Sequence, residues 1–375
     1  MIPFNRAPYT GDEDQFIHQA LASRKLSGNG YFSEKCEHWF EQQLGCQAAL
    51  VTPSCTQALE MAAILIDIQP GDEVIMPSFT FVSTANAFVL RGARIRFVDI
   101  RPDTMNIDED LIELAINDKT KAIVVVHYAG RACNMDKVMD VATRNDLYVI
   151  EDAAQAICSF YKGRPLGTIG HIGAFSFHET KNITSAGEGG LLIINRSEFC
   201  ERAEIIREKG TNRKLFIDGL VDKYSWVDVG SSFLTSELQS AYLWGQLPHA
   251  EKICKTRLIR WQQYYDAFSN LPDSVERPLP LASSPHNGHI FYLKAVDEQQ
   301  RQELIQFLGK KKIKATFHYV PLHSSEAGRR FGTFNAEDIY TTSHSKKLIR
   351  LPLWYGMEET HLERVVDAVK EFYAV

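Results

Sequence analysis

Apolar positions along the chain fall into two alternating textures: short continuous runs, and stretches where they recur with helical spacing. Residues 73–77 (EVIMP), 94–100 (RIRFVDI), 121–127 (KAIVVVH) and 147–152 (LYVIED) read as strands, with two more at 173–177 (GAFSF) and 190–195 (GLLIIN). Between them, residues 82–91, a stretch near 108–116, and 135–144 read as helices. β-branched runs without polar alternation suit strands buried on both faces, as in a parallel sheet covered by helices. After about residue 210 the texture changes. Residues 235–246 and 253–271 have helical periodicity, and 272–287, rich in Pro and Ser, reads as a linker region. The tail supplies a strand at 289–296, a helix at 298–310, strands near 313–317 and at 348–352, and a last helix from Met357. The pattern predicts an α/β chain in two parts. Residues 1–250, with an N-terminal arm, form a large doubly wound, mostly parallel sheet domain; residues 251–375 form a smaller α+β domain.

Composition narrows the class. With 375 residues, of which 45% are hydrophobic, the chain can bury cores for two domains. The net charge is −6 and no long charge run occurs, so a nucleic-acid partner is not expected. The seven cysteines (Cys36, Cys46, Cys55, Cys133, Cys158, Cys200 and Cys254) include no CxxC pair, which argues against a metal knuckle or a disulfide framework. No apolar run reaches the roughly 18 residues of a membrane span. The start MIPFNRAPY lacks the basic-then-apolar layout of a signal peptide. A soluble, cytoplasmic protein with no membrane partner and no metal is the expectation.

Candidate chemistry gathers at strand ends. Asp152 closes LYVIED; it is either a helix cap or a carboxylate at the carboxyl edge of the sheet, where α/β folds place ligands. Lys181, in SFHETKN, follows another strand and is either a surface charge or an amine able to form a Schiff base. The pair together suits pyridoxal phosphate (PLP), whose ring nitrogen must stay protonated beside an acid while a lysine holds the aldehyde carbon. Ser54 and Cys55, in TPSCT before the amphipathic run 58–66, are an ordinary helix start or a phosphate site, since free N–H groups and the helix dipole favour an anion there. Ser176 could add a hydroxyl. Phe79 and Phe81, in PSFTFVST, could stack on a flat ring or fill the core.

The segments TPSCTQAL, PSFTFVSTANA, VHYAG, IEDAAQ, SFHETKN and EGG occur in an order and spacing that resemble the DegT/DnrJ/EryC1/StrS family of sugar aminotransferases. The resemblance runs from MIPFN to at least HYVPLH and implies PLP fold type I, the aspartate aminotransferase-like fold. It implies that Lys181 carries PLP and shuttles the proton, that Asp152 faces the pyridine nitrogen, and that Gln155 hydrogen-bonds the ring hydroxyl. Phe81 matches the stacking aromatic, and Ser54, Cys55 and Ser176 match phosphate contacts, the first two partly through backbone N–H groups. His318, Tyr319 and His323, in FHYVPLH, are candidate substrate contacts or a packed strand edge; His178 is a local structural or substrate contact. The implied substrates are L-glutamate and a nucleotide-linked keto sugar, in a homodimer whose active site lies at the interface. One departure stands out. Many relatives carry an Asn in the segment equivalent to residues 231–237, reaching the partner's cofactor phosphate; here it reads SSFLTSE, leaving Ser231, Ser232 or Ser236 as substitutes. SFHETKN, REKGTNR and MIPFN are most similar to members that aminate C4 of dTDP-4-keto-6-deoxyglucose to the galacto product for surface polysaccharides such as lipopolysaccharide. Members giving the gluco product, or aminating C3, share the same catalytic residues. A dehydratase on this fold would carry His in place of Lys181, and a non-catalytic regulator would carry an added helix-turn-helix.

Overall fold

A computed structural model describes residues 1–375. In chain order the strands are β1 (Ala48–Thr52), β2 (Glu73–Pro77), β3 (Arg94–Val98), β4 (Thr120–Val126) and β5 (Tyr148–Asp152). A small hairpin, β6 (Phe160–Tyr161) and β7 (Arg164–Pro165), precedes β8 (Ile172–Ser176) and β9 (Gly190–Ile194). β10 (Phe291–Lys294), β11 (Thr316–Phe317), β12 (Gly332–Phe334) and β13 (Leu348–Leu351) complete the set.

Eight strands form one sheet in the order β1-β9-β8-β5-β4-β2-β3-β12. Its centre is parallel, and β9 runs antiparallel between β1 and β8. β4 shows why: Ile123, Val124 and Val125 are all buried, alternately on opposite faces, so the strand needs a helical layer on each side. Each such side chain removed from water contributes roughly 1.5–3 kcal/mol. One layer holds the helix Met135–Arg144, started by Asn134, whose side chain accepts from the Lys137 N–H at 3.4 Å. The other holds the helices Cys55–Leu65 and Val82–Val89. A second core, around Trp261, Phe291, Leu304 and Val365, belongs to the sheet β10-β13-β11 and the helices Ala250–Ala267, Glu298–Lys310 and Glu359–Tyr373.

Three departures from the sequence pattern have physical causes. The stretch 108–116 forms only a 3-10 turn at Glu113–Ala115. Asp108 binds its own neighbourhood instead, its side chain accepting from the Asp110 N–H at 3.0 Å and its N–H donating to the Asp99 carbonyl at 2.9 Å, which competes with helix formation. The segment 272–287 is irregular but not a loose linker at its end, because Asn287 is buried and donates to the carbonyls of Gln155 and Ile157 at 2.8 and 2.7 Å. The chain also crosses the boundary at residue 250 in both directions: Ile2 packs into the second core beside Ile313, and β12 pairs with β3 at the edge of the large sheet.

Candidate active site

β1, β2, β4, β5 and β8 run the same way, so the loops leaving their carboxyl ends meet on one edge of the sheet. This edge is where open α/β sheets bind ligands. Register sets the spacing within it. Thr52 and Ser176 both lie opposite Gly190, while Asp152 lies beside Val126 and Ala174.

The helix Cys55–Leu65 starts at Ser54, whose backbone is extended and whose hydroxyl accepts from the Gln57 N–H at 3.2 Å. The N–H groups of Cys55 and Thr56, first in the helix, have no acceptor within it. Gly190 lets β9 pack closely against this helix start: a Cβ there would lie 2.3 Å from the Ser54 carbonyl carbon and 2.4 Å from the Cys55 nitrogen. Burial, with Asp152 adding to it, pushes the Cys55 thiol well above its ordinary value. Ser176, next in the row, accepts from the His178 N–H at 3.4 Å.

Asp152 is buried and held by two donors, the Thr84 hydroxyl at 2.7 Å and the Ala154 N–H at 3.2 Å. Thr84 was not singled out in the sequence, although it lies within PSFTFVSTANA, and its hydroxyl is also 2.7 Å from that of Thr80. Glu151, one residue earlier, points to the other face. It accepts from the N–H groups of Gly167, Ile169 and Gly170 and pairs with His127 at 2.9 Å. Burial opposes its charge, but His127 and these N–H groups outweigh that and hold Glu151 below its ordinary value.

Lys181 sits on a turn closed by its N–H to the His178 carbonyl at 2.9 Å. Burial pushes its amine below the ordinary lysine value; Cys55 and Asp152 oppose the shift and Arg350 adds to it. Gln155 accepts from the Ala129 N–H at 2.7 Å and donates to the Tyr319 hydroxyl at 3.0 Å. Phe79 is a core residue, edge-on to Tyr128 and Tyr319. Phe81 is 57% exposed at the start of the next helix, its ring centre 6.4 Å from that of Tyr319.

The histidines divide. His178 is half-exposed and turned to its own loop, its Nδ1 accepting from the Thr180 N–H at 3.2 Å and its Nε2 3.6 Å from Glu188. His318 stands between the Tyr128 hydroxyl at 3.1 Å and Arg350 at 3.0 Å. His323 lies away from this cluster, between Ser78 at 2.7 Å and Asp338 at 3.1 Å, so both ring nitrogens are already engaged where the two parts of the chain meet. Arg350 carried no signal in the sequence, and the arm residues Phe4 and Asn5, although within MIPFN, were given no role there. Asn5 donates to the carbonyl of Glu179, in the lysine loop, at 3.1 Å, and Phe4 lies under Arg350.

The profile of the DegT/DnrJ/EryC1/StrS aminotransferase family matches residues 9–370. The chain belongs to this family. Among its relatives, the spore coat polysaccharide biosynthesis protein SpsC of Bacillus subtilis is 32% identical over 99% of this chain and 96% of that protein. An uncharacterised protein of Methanocaldococcus jannaschii is 35% identical over 90% of this chain and 89% of its own. In structure, PseC of Helicobacter pylori, an aminotransferase of pseudoaminic acid biosynthesis, superposes with a TM-score of 0.91 at 26% identity, covering 100% of this chain and 99% of that one. The family is PLP-dependent and its fold is type I.

The residues present fit that cofactor. The free N–H groups at the start of the helix would take the phosphate, with Ser54 and Ser176 beside them. Phe81 would cover one ring face, and Gln155 is within the same cluster through Tyr319. When bound, PLP supplies a carbon that takes over the amino group and a ring that accepts the electron pair released at the donor's Cα. Asp152 would keep the proton on the ring nitrogen, its own orientation set by Thr84 and Ala154. Lys181 would take the proton from the donor's Cα and return one to the acceptor carbon, a task that needs its neutral amine and that burial favours.

Proposed function

We propose that this aminotransferase moves the amino group of L-glutamate to C4 of dTDP-4-keto-6-deoxyglucose, giving dTDP-4-amino-4,6-dideoxygalactose for a surface polysaccharide. What supports the catalytic half is that Asp152, at the end of β5, and Lys181, in the loop after β8, lie at the same edge of the sheet as the helix start at Ser54. The sugar half rests on the likeness of SFHETKN, REKGTNR and MIPFN to galacto-forming members, and it agrees with the polysaccharide role named for SpsC. The product hand follows from which face of the keto sugar meets the proton on Lys181, and contacts of a few kcal/mol decide that face. The working form we infer is a homodimer in the cytoplasm. In support, the segment 213–229 exposes Phe216, Ile217, Leu220, Tyr224 and Trp226, the last 81% accessible, a contiguous apolar stretch suited to a second copy. Ser236 is already used as the cap of the helix Glu237–Gln246, so exposed Ser231 or Ser232 is the group left to reach a partner's phosphate.

The test is incubation of the purified enzyme with glutamate and dTDP-4-keto-6-deoxyglucose, followed by proton couplings of the product. A small H3–H4 coupling supports the galacto hand. A large one means the gluco product, and turnover only of a 3-keto isomer moves the amination to C3.

A further inference from the structure

Two of the seven cysteines meet in the folded chain. Cys254 sits in the helix Ala250–Ala267, and Cys158 lies between β5 and the hairpin of β6 and β7. Their thiols hydrogen-bond each other, and both line a cavity of about 620 Å³ walled by apolar side chains such as Trp39, Phe40, Leu166 and Leu258. Cys158 is the more accessible of the two and Cys254 is buried. Neither thiol is used by the chemistry assigned to Lys181 and Asp152.

The surroundings of Cys254 favour its thiolate. Burial raises the thiols of Cys36, Cys46, Cys55, Cys133 and Cys200 above their ordinary value, and contact with Cys254, with burial adding to it, raises Cys158. Cys254 moves the other way. The Cys158 thiol donates to its sulfur; burial opposes this, but the Asn182 side-chain amide, donating at 3.5 Å, and the charge of Arg257 help to outweigh it. Its own proton has the Ile157 carbonyl, at 3.9 Å. The thiolate is the reactive form of cysteine, and a second thiol in contact with it can capture an oxidised sulfur. The same sulfur supports the lysine loop. Asn182 follows Lys181, and besides Cys254 it holds the Asn287 carbonyl at 3.0 Å and the His289 ring at 2.9 Å.

We propose that Cys158 and Cys254 are a peroxide-reactive dithiol, oxidised reversibly to a disulfide within this cavity, and that closing it slows the enzyme through Asn182. The Cys254 thiolate attacks one oxygen of hydrogen peroxide, the O–O bond breaks, and hydroxide leaves a sulfenic acid behind. Hydroxide takes up the proton that Cys254 gave off and becomes water. The Cys158 sulfur then attacks the Cys254 sulfur, whose oxygen departs as water with the Cys158 proton, and the S–S bond forms. The two thiols lose two electrons in all, and peroxide is reduced to water. A disulfide sulfur is a poorer acceptor than a thiolate, so the Asn182 amide loses one of its anchors beside Lys181.

The test treats the holoenzyme with a small excess of hydrogen peroxide, alkylates the remaining thiols and maps the peptides by mass. The peptides holding Cys158 and Cys254 should appear joined, and dithiothreitol should separate them. In Cys158→Ser, Cys254 should stop at the sulfenic acid, which dimedone traps; in Cys254→Ser, Cys158 should stay unoxidised. The rate at which glutamate bleaches the cofactor's visible band should fall about twofold to tenfold on oxidation, the size of one lost hydrogen bond, and return with dithiothreitol. Cys158→Ser should show no joined peptide and keep its rate under the same treatment. Recovery of both thiols alkylated in the treated parent, or a bond between Cys46 and Cys200 in their place, overturns the proposal; this mapping decides even if a variant does not fold. A disulfide that leaves the bleaching rate unchanged overturns the link through Asn182. Failure of the aminotransferase reading shows separately, as no bleaching by glutamate in the untreated parent.

Discussion

Glu151 and Asp152 are adjacent carboxylates with opposite surroundings, because a strand sends successive side chains to opposite faces. Glu151 is satisfied inside by three N–H groups and His127, whereas Asp152 has two donors and faces the site. Asp152→Asn is therefore expected to keep the fold and lower turnover by about a hundredfold or more, since an amide cannot hold the ring proton. Turnover within a few-fold of the parent would refute the role. Lys181→Ala should fold, lose turnover and lose the pyridoxyl mass that borohydride reduction fixes on the peptide containing residue 181. Their places after strands made both residues candidates, and the pairing and the family resemblance gave them their expected roles. Arg350 was not, because its neighbours Phe4 and His318 come from distant points of the chain and no local motif marks it.

At the scale of elements, the register of β9 matters more than any one side chain in it. Gly190 is level with Thr52 and Ser176 and lies against the start of the helix Cys55–Leu65. A methyl group at this position must push either the strand or the helix start aside. Gly190→Ala is expected to cost about 1–3 kcal/mol of stability, as overpacking does, and to weaken PLP binding more than Lys181→Ala weakens folding. Equilibrium dialysis of the cofactor and a denaturant titration measure the two effects; unchanged affinity would mean the helix start is not the phosphate site. Continuous apolar runs made most central strands readable, since burial on both faces leaves that mark. β12 left none, because three residues at a sheet edge, Gly332–Phe334, carry too little pattern.

The whole molecule buries several neutral histidines. Burial pushes His286, His289 and His318 well below the ordinary value, and His344, with Lys294 adding to the effect, is pushed down to about 4. The unfolded chain, titrating near 6.5, then binds more protons than the folded one below that pH. Their contribution to stability is complete above about pH 6.5 and declines as pH falls toward the folded values. The melting temperature should drop progressively from pH 6.5 to 4, and His344→Gln should flatten part of that slope. A melting temperature constant over this range would contradict the assignment. Association is a separate property of the same scale: Trp226→Asp should shift sedimentation toward monomer and reduce activity per chain if the exposed stretch 213–229 is the dimer contact. An active monomer would exclude that arrangement.

By itself the sequence determined the α/β layering, the strand end that carries Asp152, the segment after a strand that carries Lys181, and membership of a family whose motifs occur in order along the chain. These are local or repeating signals, set by periodicity and by short segments that keep their spacing. The tertiary structure decided what depends on chain crossings. It turned Asn287 from linker to buried support, sent His323 to the contact between the two parts, kept Phe79 in the core while leaving Phe81 exposed, and brought Arg350 to His318 and Phe4. A side chain's hydrogen bonds and desolvation depend on neighbours far away in sequence, and only the folded chain supplies them.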